Sequence, residues 1–213
     1  VIIPNIKALH TGIEIDAAIK AHKTVTLEGL LSIGDWQWKS GDEFTYTFAS
    51  GATDTVTFDA TGVHVGDAAQ IQVSGMVRYE PIKGLYIKPR ITYFAKQFAN
   101  FDPTSLQGAN ARRESWRMPN YYVFDIGAGY WKRFQNGLQF SLRMNLFNIT
   151  DNLYIQDAQN NGGAQPSTPS EFRQEFNANS ATVHFTQGFR WTVGIELIFG
   201  NWIGNKSKTD QRL

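Results

Sequence analysis

The stretch His184-Phe185-Thr186-Gln187-Gly188-Phe189-Arg190-Trp191-Thr192-Val193-Gly194-Ile195-Glu196-Leu197-Ile198-Phe199 decides how this chain is read. Its odd positions are apolar from Phe185 to Phe199 except at Gln187, while its even positions carry His184, Thr186, Gly188, Arg190, Thr192, Gly194, Glu196 and, last, Ile198. Successive side chains of a strand point to opposite faces, so a period of two describes one apolar face and one wet face. The stretch exceeds an ordinary globular strand and spans a bilayer when tilted.

Six further segments, at about 8–21, 25–39, 69–81, 84–98, 120–134 and 138–150, show the same period. In the first, Leu9, Ile13, Ile15 and Ile19 oppose His10, Glu14, Asp16 and Lys20. In the fourth, Ile87, Ile91 and Tyr93 oppose Lys88, Arg90 and Thr92; in the sixth, Leu138, Phe140, Leu142, Met144 and Leu146 oppose Gln139, Ser141, Arg143 and Asn145. A soluble sandwich also alternates, and strand length is what separates the two readings. The expectation is an all-β fold, a transmembrane antiparallel β-barrel wall.

Composition permits this. No run of 18 apolar residues makes a transmembrane helix, and a barrel places only alternate residues in lipid, so its mean hydropathy stays that of a soluble protein. Aromatic residues make up 14%, which suits strands and membrane interfaces. A net charge of +1 speaks against a nucleic-acid surface, and the lack of cysteine removes disulfides and thiolate ligands. Val1-Ile2-Ile3-Pro4 does not read as a signal peptide, so either a leader was removed or the chain starts inside a longer protein.

Connections alternate in length. Ala21–Thr24, Pro81–Gly84 and Phe134–Gly137 are tight turns, whereas 40–68, 99–119 and 151–183 are long. Phe44–Phe48 and Thr55–Phe58 inside the first long connection read as a β-hairpin standing above the membrane. Bacterial barrels have short periplasmic turns and long extracellular loops, which puts the last strand's C-terminal end in the periplasm. Seven is odd where such barrels close with even counts, so the chain reads as the C-terminal portion of a larger barrel over 1–199, followed by a periplasmic tail over 200–213.

Several stretches resemble the last third of TonB-dependent outer-membrane receptors, the 22-stranded transporter family, in its Bacteroidetes-like form. They are His10-Thr11-Gly12-Ile13-Glu14-Ile15-Asp16, Leu27–Trp36, His64–Gln70, Tyr79–Tyr86 and Asn145-Leu146-Phe147-Asn148-Ile149-Thr150-Asp151-Asn152-Leu153-Tyr154. Thr192, Gly194, Leu197 and Phe199 are similar to the terminal signal read by the barrel-assembly machinery, although here Gly200–Leu213 continues past Phe199. The resemblance implies import of a scarce nutrient (siderophore, cobalamin, glycan or peptide) powered by an inner-membrane TonB-type complex acting through a plug that this chain lacks. It also implies contact with outer-membrane lipids and lipopolysaccharide, and in some members a surface lipoprotein.

Ligand contact is expected on the loops. Trp36, Trp38, Arg113, Trp116 and Arg117 are the candidates, since Arg and Trp grip anionic or planar ligands. Trp36 and Trp38 near a strand end fit an interfacial girdle equally, and the 112–117 run fits a salt-bridged loop or a contact with lipopolysaccharide phosphates. Glu14, Asp16, Glu28, Arg78, Glu80, Lys88, Arg90, Arg143, Arg190 and Glu196 would form a charged inner wall. His10, His22, His64 and His184 lack metal-ligand spacing, and no nucleophile motif, phosphate loop or carboxylate pair argues for an enzyme or a cofactor. The other reading is a structural or interaction barrel, a subunit of an outer-membrane surface complex that imports nothing.

Overall fold

The structure, a computed structural model, describes residues 7–47, 51–66, 68–101, 105–135, 137–160 and 177–199. Its strands in chain order are β1 (Ala8–His22), β2 (Val25–Trp38), β3 (Gly41–Thr47), β4 (Thr53–Asp59), β5 (Ile71–Ile82), β6 (Leu85–Ala95), β7 (Asn100–Phe101), β8 (Tyr121–Arg133), β9 (Gln139–Phe147), β10 (Ile155–Asn160), β11 (Ala181–Phe185) and β12 (Arg190–Ile198). Seven of them form one sheet in the order β1-β2-β5-β6-β8-β9-β12, every neighbouring pair antiparallel. Among the described residues β1 and β12 do not pair with each other. The 200–213 tail lies outside the described residues.

Register carries the alternation across the whole sheet. Ile15, Leu31, Val73, Tyr93 and Tyr122 stand in one row from β1 to β8. Tyr79, Ile87, Ala128, Met144 and Val193 form a second row from β5 to β12, and Leu85, Tyr130, Leu142 and Ile195 a third. Because the period is two, a slip of one residue in any pair would invert these rows. Among the described residues nothing covers the resulting apolar face. Ile91, in the middle of the sheet, is 51% exposed, and Ile195 on the edge is 67% exposed.

The opposite face is polar and internally paired. Arg90 Nη2 meets Asp125 Oδ2 at 2.6 Å across β6 and β8, and Arg143 Nη2 meets Glu196 Oε2 at 3.2 Å across β9 and β12. Ser74 bonds Thr92 at 3.0 Å, and Asn145 Nδ2 donates to Thr192 Oγ1 at 3.2 Å. In the charged wall expected from sequence, Arg90, Arg143 and Glu196 are held by cross-strand ion pairs, and Arg78 and Glu80 pair within β5. Gly129 lets the Tyr86 ring lie flat across β8, where a Cβ would sit 2.5 Å from the ring. Arg78 and Lys88 in turn lie over that ring, 4.6 and 5.2 Å from its centroid.

Turn chemistry closes one end of the sheet. Two-residue turns join β1 to β2 and β5 to β6, the pairs His22–Val25 and Ile82–Leu85 closing them. At the other end the strands stop sooner than their periodicity suggests. Lys96 takes φ 57° and ends β6, and Asn148 takes φ 50° and ends β9. The expected strand over 184–199 is broken. Residues 181–185 form β11 in a separate sheet of order β11-β10-β7, and only 190–198 joins the main one. The cause is local: Gly188 takes φ 73°, and the Phe189 N–H donates to Asp151 Oδ1 at 2.8 Å rather than to a neighbouring strand. The expected hairpin is present as β3 paired with β4.

Two glycines separate backbone strain from collision. Gly62 and Gly84 both have positive φ (85° and 89°), but a Cβ at Gly62 meets open space while one at Gly84 runs into the Trp131 carbonyl. Gly62→Ala should therefore cost about 1 kcal/mol, from backbone conformation alone. Gly84→Ala should exceed it by about 1–3 kcal/mol. Denaturant midpoints of the two variants measure the difference.

Candidate functional site

The described parts of the long connections pack into a layer at the end opposite the tight turns. Phe58, Ala60, Val63 and Leu106 form one buried cluster with Trp38 and Phe101 against it. Ala99, Met118 and Ala158 form another, flanked by Trp116, Ile155 and Val183. Among the described residues the buried apolar clusters lie here rather than on the sheet.

Three side chains hold the layer together. Asp59 accepts from the Thr61 N–H at 2.9 Å and from Arg112 Nε at 2.6 Å, while its own backbone bonds Leu106 and Arg112. Those contacts, the Thr61 hydroxyl first, then the Thr61 amide, then the Arg112 guanidinium, hold its carboxyl down at about 2. Buried Asn160 uses its whole amide: Oδ1 accepts from Ser115 Oγ and the Trp116 N–H, and Nδ2 donates to the Asn177 carbonyl and Ser180 Oγ. Buried Gln70 imitates a strand, exchanging both hydrogen bonds with the Trp36 backbone at 3.2 Å.

Where this layer meets the polar face of the sheet there is a recess of about 430 Å³, lined by Ala68, Ala69, Gln72, Phe94, Gln97, Tyr121, Gln156 and Asp157. Gln72, Phe94 and Tyr121 stand in one cross-strand row at the upper ends of β5, β6 and β8. Phe94 stacks on Tyr121 with centroids 4.8 Å apart, and Tyr121 stacks on Tyr154 at 4.0 Å, giving a column of three rings with Tyr121 in the middle. Gln97 is buried, and its Nε2 donates to the Gln156 carbonyl at 3.0 Å. That bond fixes which way the amide points, because only the NH₂ end can donate. Its Oε1 has no donor among the described residues. Gln72 Nε2 is likewise committed, to the Ala69 carbonyl at 3.2 Å.

A second cluster sits by His64. Its Nε2 lies 3.2 Å from Asp35 Oδ1 and its Nδ1 2.5 Å from Glu114 Oε2, and the ring stacks on Phe98 at 4.2 Å. Lys96 Nζ joins Asp35 at 3.1 Å. The carboxylates meet opposite edges of the imidazole, so His64 bridges them and ties the 105–119 segment to β2. Among the described residues no group of three His, Asp or Glu is placed to hold a metal.

The residues singled out from sequence are scattered through this layer. Trp36 stacks on His10 at 5.1 Å and leans over Gly34. Trp38 and Trp116 are half-buried against the two clusters, and Arg113 bonds Asn110 Oδ1 at 3.1 Å. Arg117 is exposed, its backbone bridged to Phe98. None of the five lines the recess. Of the four end residues, Thr192 and Gly194 lie on the polar face, Leu197 opposes Phe140 on the apolar one, and Phe199 follows β12 at 79% exposure. Sequence reasoning missed Phe94 and Tyr121, although a signal existed: both place an aromatic ring at polar-face parity, as Tyr86 does, where β6 also carries Lys88, Arg90 and Thr92.

No known protein family matches the chain, and no curated protein matches it significantly.

Asp59 predicts how the layer responds to acid. Its folded carboxyl lies below the ordinary value of 3.8, so its contribution is complete above that value and is lost as pH falls toward about 2. Pepsin cleavage within 105–117 should rise across that window. Asp59→Asn should make the segment susceptible throughout the window and remove the pH step.

Proposed function

We propose that this chain forms part of the wall and extracellular loop layer of an outer-membrane β-barrel, and that the barrel is a TonB-dependent receptor importing a scarce nutrient. One observation carries the reading. A seven-stranded antiparallel sheet keeps an apolar face in register from edge to edge, and that face is open on interior strands as well as at the edges. An apolar surface of this extent is a liability in water and a requirement in lipid. The tight turns then face the periplasm, the packed layer faces outward, and the polar face looks into the lumen. The hydrogen-bonding edges of β1 and β12 would join further strands, since no open edge survives within a bilayer.

In this reading the loops capture the ligand at the lumen mouth, and a plug supplied by the rest of the receptor yields to force from an inner-membrane complex. The motifs quoted above from 10–16 to 145–154 support the choice of receptor type. The structure gives the last of them a physical role: Asn148 N–H donates to Asp125 Oδ1 at 2.9 Å, Asn152 N–H donates to Asn148 Oδ1 at 3.2 Å, and Asp151 holds the start of β12. The segment is a knot that aligns three strands at the rim.

Two measurements test this. Ile91→Arg should cost about 2–4 kcal/mol in lipid, whereas a water-facing sheet would take the change within about 0.5 kcal/mol. Urea unfolding in bilayers gives the value, and a small one would overturn the membrane assignment. The native protein extracted by detergent should have an intact mass several times the 24.0 kDa of this chain, with a plug sequence at its front. A mass near that of the chain would end the importer reading.

A further inference from the structure

We infer that His64 is a pH-sensitive clasp: protonated, it ties Glu114 of the 105–119 segment to Asp35 of β2, and on losing its proton it releases that tie. The inference goes beyond the receptor reading and draws only on groups within this chain.

The two ring nitrogens set the condition. A neutral imidazole has one N–H and one lone pair, so it donates at a single edge, whereas the imidazolium donates at both. His64 meets an acceptor at each edge, Glu114 Oε2 at Nδ1 and Asp35 Oδ1 at Nε2. An ionised carboxylate cannot donate, so a neutral His64 would turn its lone pair toward one of the two. The bridge seen here is that of the protonated ring.

Charge agrees with the hydrogen bonds. The charged groups around the ring are Asp35 from β2, Glu114 from the 105–119 segment, and Lys96 from the end of β6, whose Nζ lies 3.1 Å from Asp35 Oδ1. A proton on His64 completes a neutral set, and its loss leaves one carboxylate uncompensated. The other neighbours are uncharged. Phe98 lies flat on the ring with centroids 4.2 Å apart, and Gln37 Nε2 donates to Asp35 Oδ2 at 3.1 Å. The imidazole is 16% exposed but the Asp35 and Glu114 carboxylates are 50% and 44% exposed, so the clasp is a modest one.

Imidazole is the side chain that ordinarily changes charge between pH 5 and 8, where carboxylates and ammonium groups keep theirs. Because the bridge needs the proton, it is favoured as pH falls and lost as pH rises. The Asp59–Arg112 bond holds the same segment with the opposite sign, weakening as pH falls toward about 2. Together they hold the segment over a bounded window. With the layer facing outward, the clasp answers to the pH of the medium. Its state has a direct reporter: Glu114 Oε1 accepts from the His64 backbone N–H at 3.1 Å, and that amide loses its partner when Glu114 leaves.

Hydrogen exchange on the full-length protein in detergent, resolved to the amide at position 64 and corrected for the intrinsic pH dependence of exchange, tests this. Between about pH 5.5 and about pH 8.5 its protection should fall about threefold or more. The Ile126 amide in β8 should stay level and serves as the folding control. His64→Arg keeps a planar cation able to stack on Phe98, and should hold the higher protection at both values. His64→Gln should hold the lower one at both. Glu114→Gln can donate or accept at Nδ1, so it should remove the step. A flat profile in the wild-type protein overturns the inference, and so does a step that persists in His64→Gln or Glu114→Gln. The wild-type profile decides even where a variant fails to fold. A protein recovered without detergent overturns the receptor reading instead, and the same exchange experiment in plain buffer then decides the clasp.

Discussion

The antiparallel hydrogen-bond ladder of the seven-stranded sheet is the constraint on which the rest of the molecule depends. It fixes which residue stands beside which, and because side chains alternate, it also fixes which face each one occupies. A row such as Tyr79–Ile87–Ala128–Met144–Val193 exists only while every register along it holds. The tight turns set register at one end, and at the other the Asp125–Asn148–Asn152 knot and the Asp151–Phe189 bond do so. Cross-strand pairs on the polar face add modest stability and penalise slippage.

The loop layer answers a different requirement. Chain leaving the upper strand ends has backbone groups to satisfy and apolar residues to cover, and it does both internally. Clusters around Phe58 and Met118 supply burial, while Asp59, Gln70 and Asn160 absorb backbone donors and acceptors that no ladder reaches. The recess forms at the seam, where β10 approaches the polar face without the two surfaces interlocking. Gln72, Phe94 and Tyr121 belong to the sheet, and Gln97, Gln156 and Asp157 to the layer. Such a division holds a site in place while allowing its rim to differ in chemistry from the wall below.

How far the sequence was legible follows the range of the forces involved. Alternation is local, so the strands of the seven-stranded sheet, their faces, the turns at 23–24 and 83–84 and the β3–β4 hairpin could be read from neighbouring residues, whereas β7, β10 and β11 fall in stretches read as loops. The break at 186–189 could not, because it depends on Asp151, distant in sequence, capturing the Phe189 amide. Trp38, near a strand end, and Trp116, in a loop, drew attention as ligand contacts, yet each packs on residues from other connections. Phe94 and Tyr121 left a trace as rings at polar parity, but Gln97 left none, since a glutamine in a loop says nothing about its surroundings.

By itself, then, the sequence determined an all-β chain of long two-faced strands joined by short and long connections in turn, because a period of two is written residue by residue. Only the tertiary structure decided that the described parts of the long connections fold into a layer with its own cores, that His64 bridges Asp35 and Glu114, and that Phe94, Tyr121 and Tyr154 stack in one column. Those outcomes join residues tens of positions apart. Their partners are chosen by packing and by the need to satisfy buried polar groups, which no local pattern records.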